Sequence, residues 1–237
     1  MLKKILLFGI LFFSVSTLIA QEELILENPV DSLYREDQFY INLSYSMMQN
    51  KPSGYTQSGY FSNVAVGFLR DFPLNKQRNI AIAPGIGYTF SHLKSNLLII
   101  PDNLINDLSS TGSNLEVLNR SFSKNNNLRY HNIDIPIELR WRTSTPDSHK
   151  FFRIYAGVKF SYIFANKSVF KDGSTKYKVS NIDNLNKFQT GVYLSAGYNT
   201  WNAFAYYGLT SLFKDDTSNT SSVRLNTLQL GLIFYIL

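Results

Sequence analysis

The sequence predicts an all-β fold, an eight-stranded antiparallel up-and-down transmembrane β-barrel, and three observations predict it. First, apolar and polar residues alternate with a period of two through eight segments of about 12 to 16 residues. Soluble strands average about five or six residues, whereas a tilted membrane strand needs at least about nine to eleven. Second, the connections between segments run long, short, long, short, long, short, long. That is the order of external loops and periplasmic turns for a barrel whose N-terminus is periplasmic. Third, nearly every strand glycine (Gly67, Gly85, Gly87, Gly157, Gly191, Gly197 and Gly231) falls on the polar face. An eight-strand barrel is barely wide enough inside for side chains, so small residues must share that face with large polar ones.

The chain has 237 residues and no cysteine, which excludes disulfides, thiolate metal sites and lipid attachment through a cysteine. Residues 1–20 have the layout of a secretory signal peptide. Lys3 and Lys4 open it, 5–19 are apolar, and Ala20 precedes the cleavage point. Residues 21–37 form an acidic leader, expected in the periplasm, and 38–237 form the barrel domain. The net charge is +6, of which Lys3 and Lys4 supply two. A basic patch could touch anionic lipid headgroups, but a solvated surface explains so modest a charge as well. Nothing suggests nucleic acid. Aromatic residues make up 15% of the chain, which suits the aromatic girdles of a membrane barrel.

The first strand is expected over 38–49, with Phe39, Ile41, Leu43, Tyr45 and Met47 on one face and Tyr40, Asn42, Ser44 and Ser46 on the other. The second spans 59–71 and turns Asn63, Ala65, Gly67 and Asp71 away from Val64, Val66 and Phe68. The third spans 78–93, with Pro84 suggesting a bulge. A long Asn- and Ser-rich loop, 94–126, follows and has room for a short helix at 101–108. The fourth spans 127–142 and carries the clearest pattern. Ile133, Ile135, Ile137, Leu139 and Trp141 alternate with Asp134, Pro136, Glu138, Arg140 and Arg142. The fifth spans 150–166, with Arg153, Tyr155, Gly157, Lys159 and Ser161 on its polar face, and a polar loop follows at 167–186. The sixth is expected over 187–198, the seventh over 201–213 with ambiguous facing, and the eighth over 223–237.

Alternation alone also fits a soluble barrel with its apolar faces inward. Strand length and loop asymmetry favour the inverted arrangement, with apolar faces to lipid. Asp134, Glu138, Arg140, Arg142, Arg153 and Lys159 then face the lumen. Buried charges must pair, so these six are expected to form a structural acid–base network linking Asp134 and Glu138 to the cations. A polar conduction path through them is the sharper alternative. Ser91, His92, His131 and Asp134 are close enough in sequence to imagine a Ser/His/acid grouping, and the two histidines a weak metal site. Neither reaches a catalytic constellation, so no catalytic, metal or cofactor-binding residue is assigned. The apolar run Leu97-Leu98-Ile99-Ile100 is expected to pack over the barrel rim, or else to serve as an external contact surface.

The segments Asp134-Ile135-Pro136-Ile137-Glu138-Leu139-Arg140, 37–40, 155–162 and 206–214, and the ending 230–237, carry a family resemblance. Through them the chain resembles the small outer-membrane β-barrel proteins of Bacteroidetes, the porin-family or PorT-like group. It implies an eight-strand barrel in the outer membrane, and PorT itself is associated with type IX secretion and gliding. Outer-membrane proteins often end in an aromatic residue. Here Leu237 is last, with Phe234 and Tyr235 just before it. The expected role is non-enzymatic. It is structural, or an interaction with an envelope or secretion protein through external loops, by a monomer held in outer-membrane lipid. The alternative is a narrow pore for small solutes or ions.

Overall fold

The structure is a computed structural model and describes residues 37–58, 63–100, 115–117, 126–143, 151–172, 175–214 and 224–236, all within the unit Tyr34–Leu237. The expected signal peptide, the leader up to residue 36 and the short helix at 101–108 lie outside the described residues.

Eight strands form the wall: β1 (Gln38–Gln49), β2 (Asn63–Leu69), β3 (Ile80–Ser95), β4 (Asn126–Arg142), β5 (Phe152–Asp172), β6 (Phe188–Tyr198), β7 (Trp201–Gly208) and β8 (Asn226–Ile236). Each pairs antiparallel with the next in sequence. β8 then pairs back onto β1 from Phe39↔Ile236 to Gln49↔Asn226, so the sheet closes. Closure removes the sheet edges and gives the backbone polar groups of the wall their partners, as hydrocarbon demands.

The faces are inverted relative to a soluble barrel. Ile135 is 53% and Leu139 56% exposed, while Asp134, Glu138 and Arg140 between them are at most 1% exposed. The same parity holds around the wall. It also resolves β7, which turns Asn202, Phe204 and Tyr206 inward and Trp201 and Tyr207 outward.

Aromatic rings collect at the two ends of the outer apolar band. Near the short turns, Phe39 meets Phe68, Phe152 meets Tyr198 and Trp201 meets Phe234, with ring centroids 4.9 to 5.1 Å apart. Toward the long loops, His131 contacts both Phe90 and Phe164, and Tyr162 contacts Phe188. Trp141 and His131 lie at opposite ends of the band on β4. Ten residues at ~3.3 Å each and a tilt near 40° put them about 25 Å apart along the barrel axis, the height of an outer-membrane hydrocarbon band.

Short turns gather at the end that carries Gln38 and Ile236. The tightest is Asn199-Thr200, closed by Tyr198↔Trp201, with Asn199 at φ 55°. Asparagine tolerates this left-handed conformation better than most residues.

Two strand ends move by five residues or more, and one loop gains a pairing. β5 runs to Asp172 instead of ending at 166, because residues 167–172 pair with a returning strand, Thr175–Ser180. β7 stops at Gly208, because Leu212 and Phe213 leave the wall and bury in the barrel mouth. Within the 94–126 loop, Leu97–Ile99 pairs with Leu115–Val117. The run 97–100 is at most 4% exposed, so it packs over the rim and does not present a free surface.

Candidate functional site

Among the described residues, the lumen is where this chain gathers charged groups away from water, and the strand register decides which of them meet. Asp134, Glu138, Arg140 and Arg142 sit at alternate positions of β4 and therefore share its inner face. Near the short-turn end, Asp71 emerges just past β2. Its carboxylate accepts two parallel bonds from Arg142, Nη1 to Oδ1 and Nη2 to Oδ2, both 2.8 Å. Oδ1 also accepts from Arg140 Nη1 at 3.1 Å. Arg140 Nε donates to Glu138 Oε2 at 2.9 Å, and Arg142 Nε donates to the carbonyl of Arg78 at 3.1 Å. Fork-to-carboxylate pairing of this kind is what allows two guanidinium groups to be buried.

Glu138 links this cluster to a layer of tyrosines. In register, Glu138 on β4 faces Gly157 on β5, and Gly157 faces Tyr193 on β6. The Tyr193 ring crosses the glycine, and its hydroxyl donates to Glu138 Oε1 at 3.0 Å. A Cβ on Gly157 would come within 2.5 Å of that ring. Tyr235 donates to the same oxygen at 3.1 Å. Tyr40 repeats the device, lying across Gly67 and Gly87, its opposites on β2 and β3. Gly67, Gly87, Gly157 and Gly191 are thus seats for tyrosine rings from neighbouring strands.

Asp134 forms a separate group. It accepts from Thr89 and from Ser161 Oγ, the latter at 2.6 Å, and its Oδ2 lies 3.8 Å from Lys159 Nζ. Lys159 Nζ also sits 4.5 Å from the centre of the Tyr206 ring.

Five of the six expected residues therefore pair as a lumen network, split into two groups. Arg153 is the exception. Register sets it opposite Arg142, whose carboxylate partner is taken up on the β2 side. Its guanidinium lies instead over Phe151 at 4.5 Å and near the rings of Tyr235 and Tyr155. Its Nε and Nη1 have no hydrogen-bond partner among the described residues. Sequence reasoning missed Asp71 as the keystone. The available signal was its place on the inward parity of the second strand.

Above the tyrosines the lumen holds a cavity of about 20 Å³, lined by Tyr40, Asn42, Glu138, Lys159 and Phe204 among others. That is room for a single water at most. At the long-loop end, inward residues of the wall (Met48, Leu93, Leu128, Tyr130, Ile163) meet loop residues (Tyr55, Leu97, Ile99, Ile182, Leu185, Leu212, Phe213, Leu225) in one buried apolar cluster. Backbone bonds tie the loops down, including Leu212 N to the Leu225 carbonyl and Lys214 N to the Asn184 carbonyl, both 2.8 Å.

The imagined Ser/His/acid grouping is divided by the wall. Ser91 and Asp134 are buried on the inner face. His131 is on the outer face, bonded through Nδ1 to the Tyr88 hydroxyl at 2.6 Å. His92 bonds the Asn127 side chain at 3.0 Å.

A family model described as outer membrane protein beta-barrel domain matches residues 19–214. No curated protein matches the sequence. Among solved structures, the chain is similar to Ail, the attachment invasion locus protein of Yersinia pestis, at 12% identity and a TM-score of 0.36, over 86% of this chain and 100% of that one. It is similar to Neisserial surface protein A (NspA) at 10% identity and a TM-score of 0.36, over 85% and 96% of the two chains. It is also similar to a major outer membrane protein from Thermus thermophilus, at 11% identity and a TM-score of 0.35, over 84% and 99%.

Proposed function

Because the chain belongs to the outer membrane protein beta-barrel domain family and sits in the outer membrane, we propose that it is a non-conducting, non-enzymatic barrel that acts as a structural or interaction protein. In this reading the barrel is a monomeric anchor, and its external loops meet an envelope or secretion protein. The PorT-like resemblance makes a secretion accessory the specific form of that role.

The observation that carries the reading is a lumen filled along its length. Ion pairs occupy one end, tyrosines the middle and an apolar cluster the other end. Packing of this kind by the described residues opposes a continuous water path for ions. The outer face is apolar and suits lipid, which leaves the loops as the part of the molecule that meets proteins.

Two measurements test the proposal. Cross-linking in intact outer membranes followed by pull-down is expected to return a reproducible protein partner at the loops. Planar-bilayer recording of the purified chain is expected to show no steady conductance. Ion-selective openings abolished by Glu138→Ala would replace the anchor reading with the narrow pore.

A further inference from the structure

β4 and β5 do not end at the upper aromatic girdle. Both continue outward, and Thr175–Ser180 adds a third strand beside the extension of β5. On the face continuous with the lipid-facing wall, the residues beyond His131 and Phe164 include five cations. Arg129 lies opposite Lys167, Lys171 opposite Lys176, and Lys178 opposite Val169. All five are exposed, and they border a groove of about 480 Å³ floored by Val169 and Asn127. Among the described residues none of the five is ion-paired.

Like charges set side by side on a sheet repel, and nothing in the described wall offsets them. Lys176 registers the crowding. Lys178 and Lys171 above all, with slight desolvation and Lys167 adding to them, hold its ammonium below the ordinary lysine range. A cluster that the described residues do not neutralise is arranged for an anion from outside.

Position identifies the anion. Arg129 is two residues outward of His131 on the same face of β4, a step of about 7 Å along the strand. Aromatic girdles mark the boundary between hydrocarbon and headgroups. The first cations therefore stand at headgroup height, on the side of the barrel that lipid occupies and on a face continuous with the lipid-facing band. A soluble polyanion would have no reason to require that continuity. We propose that this five-cation face binds phosphate groups carried by outer-leaflet lipid, with the acyl chains lying along the wall below.

The experiment uses the full chain refolded in neutral detergent, with phosphorylated lipid A, dephosphorylated lipid A and heparin as three probes. Preferential binding of phosphorylated over dephosphorylated lipid A is expected. The combined change Lys167→Gln, Lys171→Gln, Lys176→Gln and Lys178→Gln should weaken that binding about tenfold or more, since each cation near an anionic surface contributes measurably. The same four positions changed to Arg should retain it, and Lys51→Gln, an exposed lysine elsewhere, should leave it unchanged. Heat-modifiable electrophoretic mobility reports whether each variant folds. If the fourfold variant does not, the pair Arg129→Gln and Lys167→Gln serves in its place, with a several-fold loss expected. Equal binding of the two lipids, undiminished binding by the neutralised variants, or heparin bound in preference to lipid would each overturn the proposal.

Discussion

The two ends of the lumen are closed by opposite chemistry. At the short-turn end, Asp71, Arg140, Arg142 and Glu138 form a nearly water-free ion cluster built from the wall and a residue just past β2. At the loop end, Leu185, Leu212, Phe213 and Leu225 descend from loops onto Met48, Leu128 and Ile163. The first closure is made of wall residues and Asp71, and its failure exposes charge inside the membrane. The second seats loop residues on the wall, and its loop members take no part in the strand pairings that close the barrel. The difference teaches where this barrel is rigid and where it can change: the charges specify register, and the apolar plug tethers the loops that meet the outside.

The comparison can be broken most directly at Asp71. Asp71→Ala removes the carboxylate that takes both fork bonds of Arg142 and also bonds Arg140, so about 3 to 5 kcal/mol of barrel stability should be lost. Urea unfolding in lipid vesicles measures it, and a loss below about 1 kcal/mol would deny the cluster its structural role.

Phe213→Ala should cost the plug about 3 kcal/mol, but locally. Amide exchange in 182–186 and 211–214 should accelerate on the order of a hundredfold, while the temperature of the electrophoretic mobility shift stays near that of the unmodified chain. A collapse of the whole barrel would show that the two ends are not independent.

Gly157→Ala probes the tyrosine layer between them. The added methyl displaces the Tyr193 ring from Glu138, with an expected cost of about 1 to 3 kcal/mol. Combined with Tyr193→Ser, the cost should be clearly less than the sum of the two single changes, as checked by a double-mutant unfolding cycle.

The smallest effect is expected at Arg153. Its guanidinium rests on rings without a carboxylate, so Arg153→Met should change stability by no more than about 1 kcal/mol in either direction. A large loss in the same unfolding assay would mean that a partner absent from the described residues holds this cation.

Strand faces were legible in the sequence because alternation is local. Once Ile135 faces lipid, Asp134 and Glu138 must face the lumen. The charge partners were less legible. Arg153 carries the same inward parity as Arg140, yet it stands opposite Arg142 in the register and turns to aromatic rings. The glycines showed that something large fills the interior, but not that Tyr193 crosses Gly157 to reach Glu138. The segment 167–172 reads as loop because its lysines suppress the apolar signal. It is strand because Thr175–Ser180 and β4 both pair with it.

By itself the sequence determined an inverted eight-strand cylinder, since strand length, side-chain parity and loop alternation are properties of contiguous residues. Only the closed structure decided which inward groups touch, because closure fixes how far each strand is staggered against its neighbours. That stagger brings Asp71 to Arg142, which is 71 residues away along the chain, and sets five cations on the lipid side of the rim.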